Sequence, residues 1–88
     1  MKRNPDFVVT DVAGSHILVP VGKAAVNFNS IISLNEMGLT VWDMLENETS
    51  EEEVLQKILA EYEVTEDRAR ADVERFIGKL RESGCIED

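Results

Sequence analysis

Cysteine, histidine and basic residues are scarce in this chain, and each shortage removes a class of function. One cysteine, Cys85, and one histidine, His16, stand in 88 residues. A lone cysteine closes no internal disulfide, so the chain does not read as a disulfide-stapled secreted protein. One His and one Cys make no zinc site without carboxylates. Lys and Arg number 9 against 18 Asp and Glu, for a net charge of −9 and a pI near 4.5. That balance argues against nucleic acid, because phosphate binding depends on clustered cations that release counterions. An anionic membrane surface is disfavoured for the same reason. No apolar run approaches the ~20 residues of a membrane span. The segment Met1 to Asp6 has no long apolar stretch after its charges, so no signal peptide is expected. These absences predict a soluble cytoplasmic protein.

What is present divides at Leu34-Asn35. Before that point Val26, Phe28, Ile32 and Leu34 alternate with Asn27, Asn29, Ser33 and Asn35, with one step near Ser30-Ile31. A period of two marks strands with one covered face. Beyond it the period becomes helical and the charge changes. Residues 1–42 hold three acids and three bases, whereas residues 43–88 hold fifteen acids and six bases. All of the net charge therefore lies on the second half. A single domain over residues 1–88 is expected, since no repeat, linker or low-complexity stretch interrupts it. Such a domain buries roughly 60–65% of its unfolded surface and has little volume for a deep substrate pocket.

The strand half predicts a first strand over Phe7 to Val12, a tight connection at Ala13-Gly14-Ser15, and a second strand from His16 to Val19 that stops at Pro20. Gly22 suits a turn or bulge at Val21-Gly22-Lys23. Ala24 to Phe28 continues the second strand, Asn29-Ser30 turns, and Ile31 to Leu34 is the last strand. In the helical half Asn35 caps a helix over Glu36 to Leu45. Ser50 and Glu53 form a capping box for a helix that runs to about Tyr62. Thr65 caps a third and longer helix, with Ala69, Val73, Phe76, Ile77 and Leu80 as its apolar stripe and Gly84 as its stop. Cys85-Ile86 then pins the end to the core. The fold class is α+β, an antiparallel sheet followed by three helices.

Catalytic chemistry has little to work with. His16 sits in a strand pattern and reads as structural or surface. Cys85 reads as a small buried hydrophobe, with no base in evidence to make it a nucleophile. The carboxylates fall at helix starts and exposed faces, and no spacing singles out an acid/base pair. Neither an enzyme nor a cofactor or metal protein is expected. Three helices after a sheet resemble a winged-helix layout, but a recognition helix with Glu66, Asp67, Asp72, Glu74 and Glu82 would meet DNA phosphate with repulsion. An open edge on the last strand would offer unpaired N–H and C=O groups to an added peptide strand. Whether another strand or helix covers that edge is open at this level.

Several stretches together resemble the PqqD family: Leu18-Val19-Pro20-Val21-Gly22, Ile32-Ser33-Leu34-Asn35-Glu36 leading into Val41-Trp42-Asp43-Met44-Leu45, Thr49 to Val54, Tyr62-Glu63-Val64, and Phe76 to Gly84. The resemblance spans nearly the whole chain. It implies a three-stranded antiparallel sheet on three helices in a winged helix-turn-helix arrangement. It also implies a precursor-peptide recognition element, which binds the leader of a ribosomally made peptide as an extra strand between the third strand and the third helix. Such domains present the precursor to a maturation enzyme, often a radical S-adenosylmethionine enzyme, and do no chemistry themselves. The stretch Ala24 to Asn29 is longer than the compact turn of quinone-pathway members, which points to another peptide system.

On this resemblance the leader pairs with Ile31, Ile32, Ser33 and Leu34 and lies along Arg68, Asp72, Arg75, Phe76 and Lys79 of the third helix, residues spaced to share one face. Arg68, Arg75 and Lys79 would serve an acidic leader, and Asp72 a basic residue. The competing reading is a regulatory or structural winged-helix subunit that docks on a protein without taking up a leader. A monomer or weak dimer is expected, because no heptad seam or large apolar surplus is visible.

Overall fold

A type I′ hairpin starts the main sheet. In the computed structural model, which describes residues 1–22 and 32–87, β2 (Phe7–Val12) pairs antiparallel with β3 (Ser15–Pro20), and Val12 faces Ser15 across two turn residues. Those residues, Ala13 and Gly14, have φ of 51° and 83°. Two positive φ values give the turn whose twist matches its strands. Glycine takes this geometry freely; alanine does so at a cost. β4 (Ile32–Leu34) adds antiparallel to β3, with Ile17 opposite Ser33, so the order is β2-β3-β4. Gly22, at φ 61°, makes the turn expected of it, and the Val21 N–H donates to the Asp6 carbonyl at 2.7 Å. The expected continuation over Ala24 to Phe28, the turn at Asn29-Ser30 and the residue Ile31 lie outside the described residues.

Three helices follow: α1 (Glu36–Met44), α2 (Glu51–Glu61) and α3 (Glu66–Glu82). Each begins at the cap its sequence signals. Asn35 Oδ1 accepts from Gly38 N–H at 2.8 Å, Ser50 Oγ from Glu53 N–H at 3.2 Å, and Thr65 Oγ1 from Arg68 N–H at 3.3 Å. The expected capping box at Ser50 differs in its second arm: the Glu53 carboxylate accepts instead from the Thr49 hydroxyl at 3.2 Å. α3 ends in a Schellman motif. Gly84 takes φ 74°, its N–H reaches the Arg81 carbonyl, and the Cys85 N–H reaches that of Leu80 at 2.9 Å.

The core lies between the inner face of the sheet and the helices. Phe7, Leu18, Ile32 and Leu34 from the strands meet Val41, Trp42 and Leu45 of the first helical segment. Val54, Leu55 and Ile58 of α2 join Ala69, Val73, Ile77 and Leu80 of α3 in the same cluster. Each such side chain contributes about 1.5–3 kcal/mol by leaving water.

One feature has no counterpart in the periodicity. β1 (Lys2–Arg3) pairs antiparallel with β5 (Ile86–Glu87) as a separate two-stranded ribbon. Its flanks are tied by Arg3 N–H to the Leu45 carbonyl and Asn4 N–H to the Cys85 carbonyl, both at 2.8 Å. The result is the α+β, winged helix-turn-helix-like arrangement that the resemblance implies, with this ribbon added.

Candidate peptide-binding groove

The register of the sheet decides which backbone groups are free. Val12 and Ser15 flank the turn as a hydrogen-bonded pair, so Thr10–Ile17 and Val8–Val19 are hydrogen-bonded pairs as well. Ile17 therefore spends its N–H and C=O on β2, and His16 and Leu18 turn theirs toward β4. On β4 their partners Leu34 and Ile32 answer them. Ser33, between the two, aims its N–H and C=O away from β3, at an edge that no other described strand covers. Among the four strand residues expected to pair with a leader, Ser33 has its backbone free for it. Ile32 and Leu34 use theirs on β3 and bury their side chains, at 2% and 5% exposure. Ile31 lies outside the described residues.

Two clefts share Asn35 and Phe76, and the first reaches that edge at Ser33. The first, about 590 Å³, lies at the end of the sheet between Gly14, Ser15 and His16 of the hairpin and Ser33, Leu34 and Glu36. The second, about 470 Å³, lies between α1 and α3. Arg68, Asp72, Arg75, Phe76 and Lys79 all line it, so the fold brings the five expected helix residues to one wall. The opposite wall is Asn35, Met37, Gly38 and Val41, with Val64 at one end. Sequence periodicity did not single out these residues. Gly38 carried the one usable signal, since a glycine inside a helix costs about 1 kcal/mol and often marks a close approach.

Phe76 is expected both in the apolar stripe of α3 and along the leader. It is half-buried, packs against the edge of the core that holds Val73 and Ile77, and lines both clefts. Arg75 is also partly committed, its Nη2 donating to Asp72 Oδ1 at 2.7 Å. On the far side of α3, Arg70 ties the helix to α2 through Glu52 at 3.2 Å and meets Glu66 at 3.6 Å. Those carboxylates raise the Arg70 pKa further above its ordinary value, the Glu52 hydrogen bond most.

The other sheet edge is less suited to a peptide. A cleft of about 600 Å³ lies along β2, but Arg3 crosses it. Its guanidinium carbon stands 5.6 Å from the centre of the Trp42 ring, and Nη1 donates to the Trp42 carbonyl at 3.3 Å. The charges there are mixed: Lys2 and Arg3 against Asp43, Glu46 and Glu87.

The two residues with catalytic side-chain chemistry are occupied otherwise. His16 Nδ1 pairs with Asp11 Oδ1 across the hairpin. Cys85 is fully buried, and burial pushes its thiol up from 9.0 to about 11. Among the described residues no cluster of three or more His, Cys, Asp or Glu is placed to hold a metal, and no helix is long and apolar enough to cross a membrane.

Comparison with known proteins bears on the fold. A solved structure described as TbiB1 in complex with the TbiA(beta) leader peptide has TM-score 0.75 at 23% identity, covering 99% of this chain and 95% of that one. Another, described as lasso peptide synthetase B1 complexed with the leader peptide, has TM-score 0.69 at 23% identity, covering 94% and 92%. No curated protein matches the chain. At this identity the two structures establish the shared fold. Residues 15–86 match the model for coenzyme PQQ synthesis protein D, and over that span the chain belongs to the PqqD family.

Proposed function

We propose that this protein holds the leader segment of a ribosomally made precursor peptide as an added strand on β4, and presents the precursor to a maturation enzyme while doing no chemistry itself. The observation that carries this reading is the backbone of Ser33, turned away from β3 beside a cleft that Phe76 of α3 also lines. Leader peptides bound to both structural relatives support it. Two net backbone hydrogen bonds at about 0.5–1.5 kcal/mol each fall well short of the ~8 kcal/mol of a micromolar complex. Side chains in the α1–α3 cleft must supply much of the rest. Arg68, Asp72, Arg75, Phe76 and Lys79 are the residues we assign to that contact. On the family resemblance alone the enzyme partner would be a radical S-adenosylmethionine enzyme; the relatives' descriptions favour a lasso-peptide system instead. We keep the cytoplasm as the location and a monomer or weak dimer as the state.

Titration of a labelled leader from any short precursor gene found beside this protein's own tests the reading. Because the Ser33 N–H points away from β3, Ser33→Pro spares the ladder, as proline does on an edge strand. Binding should weaken at least about fivefold, the loss of roughly one hydrogen bond, while Ser33→Ala stays near the parent. A folded Ser33→Pro protein that binds as tightly as the parent rules out strand addition. A parent that binds no leader but retains a protein partner favours the docking-subunit reading instead.

A further inference from the structure

The α1–α3 cleft carries the opposite charge to the molecule around it. In a chain of net charge −9, its rim holds Arg68, Arg75 and Lys79 against the single acid Asp72. Asp72 is engaged by Arg75 at 2.7 Å, which leaves Arg68 and Lys79 as the two rim cations whose side chains meet no carboxylate among the described residues. Between them the cleft is apolar, lined by Met37, Gly38, Val41, Val64, Val73 and Phe76. An apolar trough with a free cation toward each end is a recognition pattern.

Its spacing can be converted into peptide sequence. Arg68 and Lys79 are eleven residues apart on α3. At 1.5 Å per residue that is about 16 Å and close to three full turns, so both lie on one face. An extended strand rises about 3.3 Å per residue and sends alternate side chains to one side. Carboxylates at positions i and i+4 of such a strand stand about 13 Å apart. The flexible stems of Arg and Lys cover the remainder. Position i+2 faces the same way and falls midway, over the apolar floor near Val73 and between the rim residues Asp72 and Arg75.

We propose that this cleft selects an acidic leader with an acid-x-apolar-x-acid pattern, the apolar side chain seated between α1 and α3 and the carboxylates met by Arg68 and Lys79. This rests on the strand-addition reading above and deepens it by naming the chemistry of the leader.

The test uses the full chain and fluorescence anisotropy with labelled synthetic peptides in a Ser/Thr frame. One carries Glu-Thr-Leu-Thr-Glu, a second Lys-Thr-Leu-Thr-Lys, and a third Glu-Thr-Ser-Thr-Glu. The first should bind about tenfold more tightly than either control. Arg68→Glu and Lys79→Glu should each weaken it by about three- to tenfold and flatten its dependence on salt. Lys57→Glu, an exposed charge reversal on α2 away from the cleft, should have little effect. Equal binding of the lysine peptide, or cleft variants indistinguishable from Lys57→Glu, overturns the inference. If the encoded leader binds the parent and is lost in Ser33→Pro while these charge effects are absent, strand addition stands and the pattern falls. If the parent binds no leader at all, both fall.

Discussion

The ring of Phe76 rests on the backbone of Gly38. A Cβ built at that glycine would stand 3.4 Å from Cε1 and Cζ of the ring and 3.2 Å from Asn35 Oδ1, the oxygen that caps α1. The contact couples the wall of the groove to the start of the helix that follows β4.

Substitution at this point should therefore be sensitive to size. Gly38→Ala gains about 1 kcal/mol of helix propensity and spends it on two tight contacts, so its urea midpoint should lie close to the parent's. Gly38→Val overfills the site and should cost about 1–3 kcal/mol. A valine variant as stable as the parent would show that Phe76 moves aside freely.

The hairpin turn offers a gain. Ala13 occupies a left-handed position at φ 51°, which costs an L-residue with an ordinary side chain about 1–2 kcal/mol. Ala13→Asn creates the Asn-Gly pair that type I′ turns favour, and should stabilise the fold by roughly 0.5–1 kcal/mol. Thermal denaturation of the two proteins side by side decides it; an unchanged or lower midpoint contradicts the turn assignment.

Cys85 makes a prediction about pH. Burial raises its thiol from 9.0 to about 11 in the folded chain. Below pH 9 the thiol is protonated in both states and its contribution is fully present. Between about pH 9 and 11 the unfolded chain loses this proton and the folded chain keeps it, so stability falls as pH rises. The urea midpoint should drop more between pH 8 and pH 10.5 in the parent than in Cys85→Ala. The same thiol should resist a thiol reagent at pH 8 until urea unfolds the chain. Rapid labelling of the native protein would contradict its burial.

Asp72 is predicted to act as a brake on acidic ligands. It holds Arg75 at 2.7 Å and lies on the same rim as Arg68 and Lys79. Asp72→Asn frees the guanidinium and removes one negative charge, so the glutamate-bearing peptide should bind about two- to fivefold more tightly at low salt. Weaker binding would mean that Asp72 itself receives a donor from the peptide.

Much of this architecture is local chemistry and was legible in the chain. Asn35, Ser50 and Thr65 each cap a helix because their side-chain oxygens reach amides three residues on, whatever the rest of the fold does. Gly84 ends α3 because it takes a positive φ at low cost. The strand from Phe7 to Val12 follows from β-branched residues and a tight connection, expected at Ala13-Gly14-Ser15 and shortened to Ala13-Gly14 by the pairing of Val12 with Ser15. The candidate wall on α3 comes from the family resemblance, and spacings of three and four put its residues on one face.

Tertiary structure decided the rest, because it depends on which distant segments meet. Two-residue strands carry no period, so nothing in Lys2-Arg3 or Ile86-Glu87 announces that they pair. Hydropathy shows which strand faces are covered, whereas the β2-β3-β4 register determines that Ser33 is the residue with backbone to spare. Phe76 fits the apolar stripe of α3 in sequence, yet Gly38 and the start of α1 draw it to the groove. Which cations line that groove at all depends on how α3 is set against its neighbours: Arg70 turns to Glu52 on another helix, eighteen residues away, whereas Arg68 and Lys79 face the cleft.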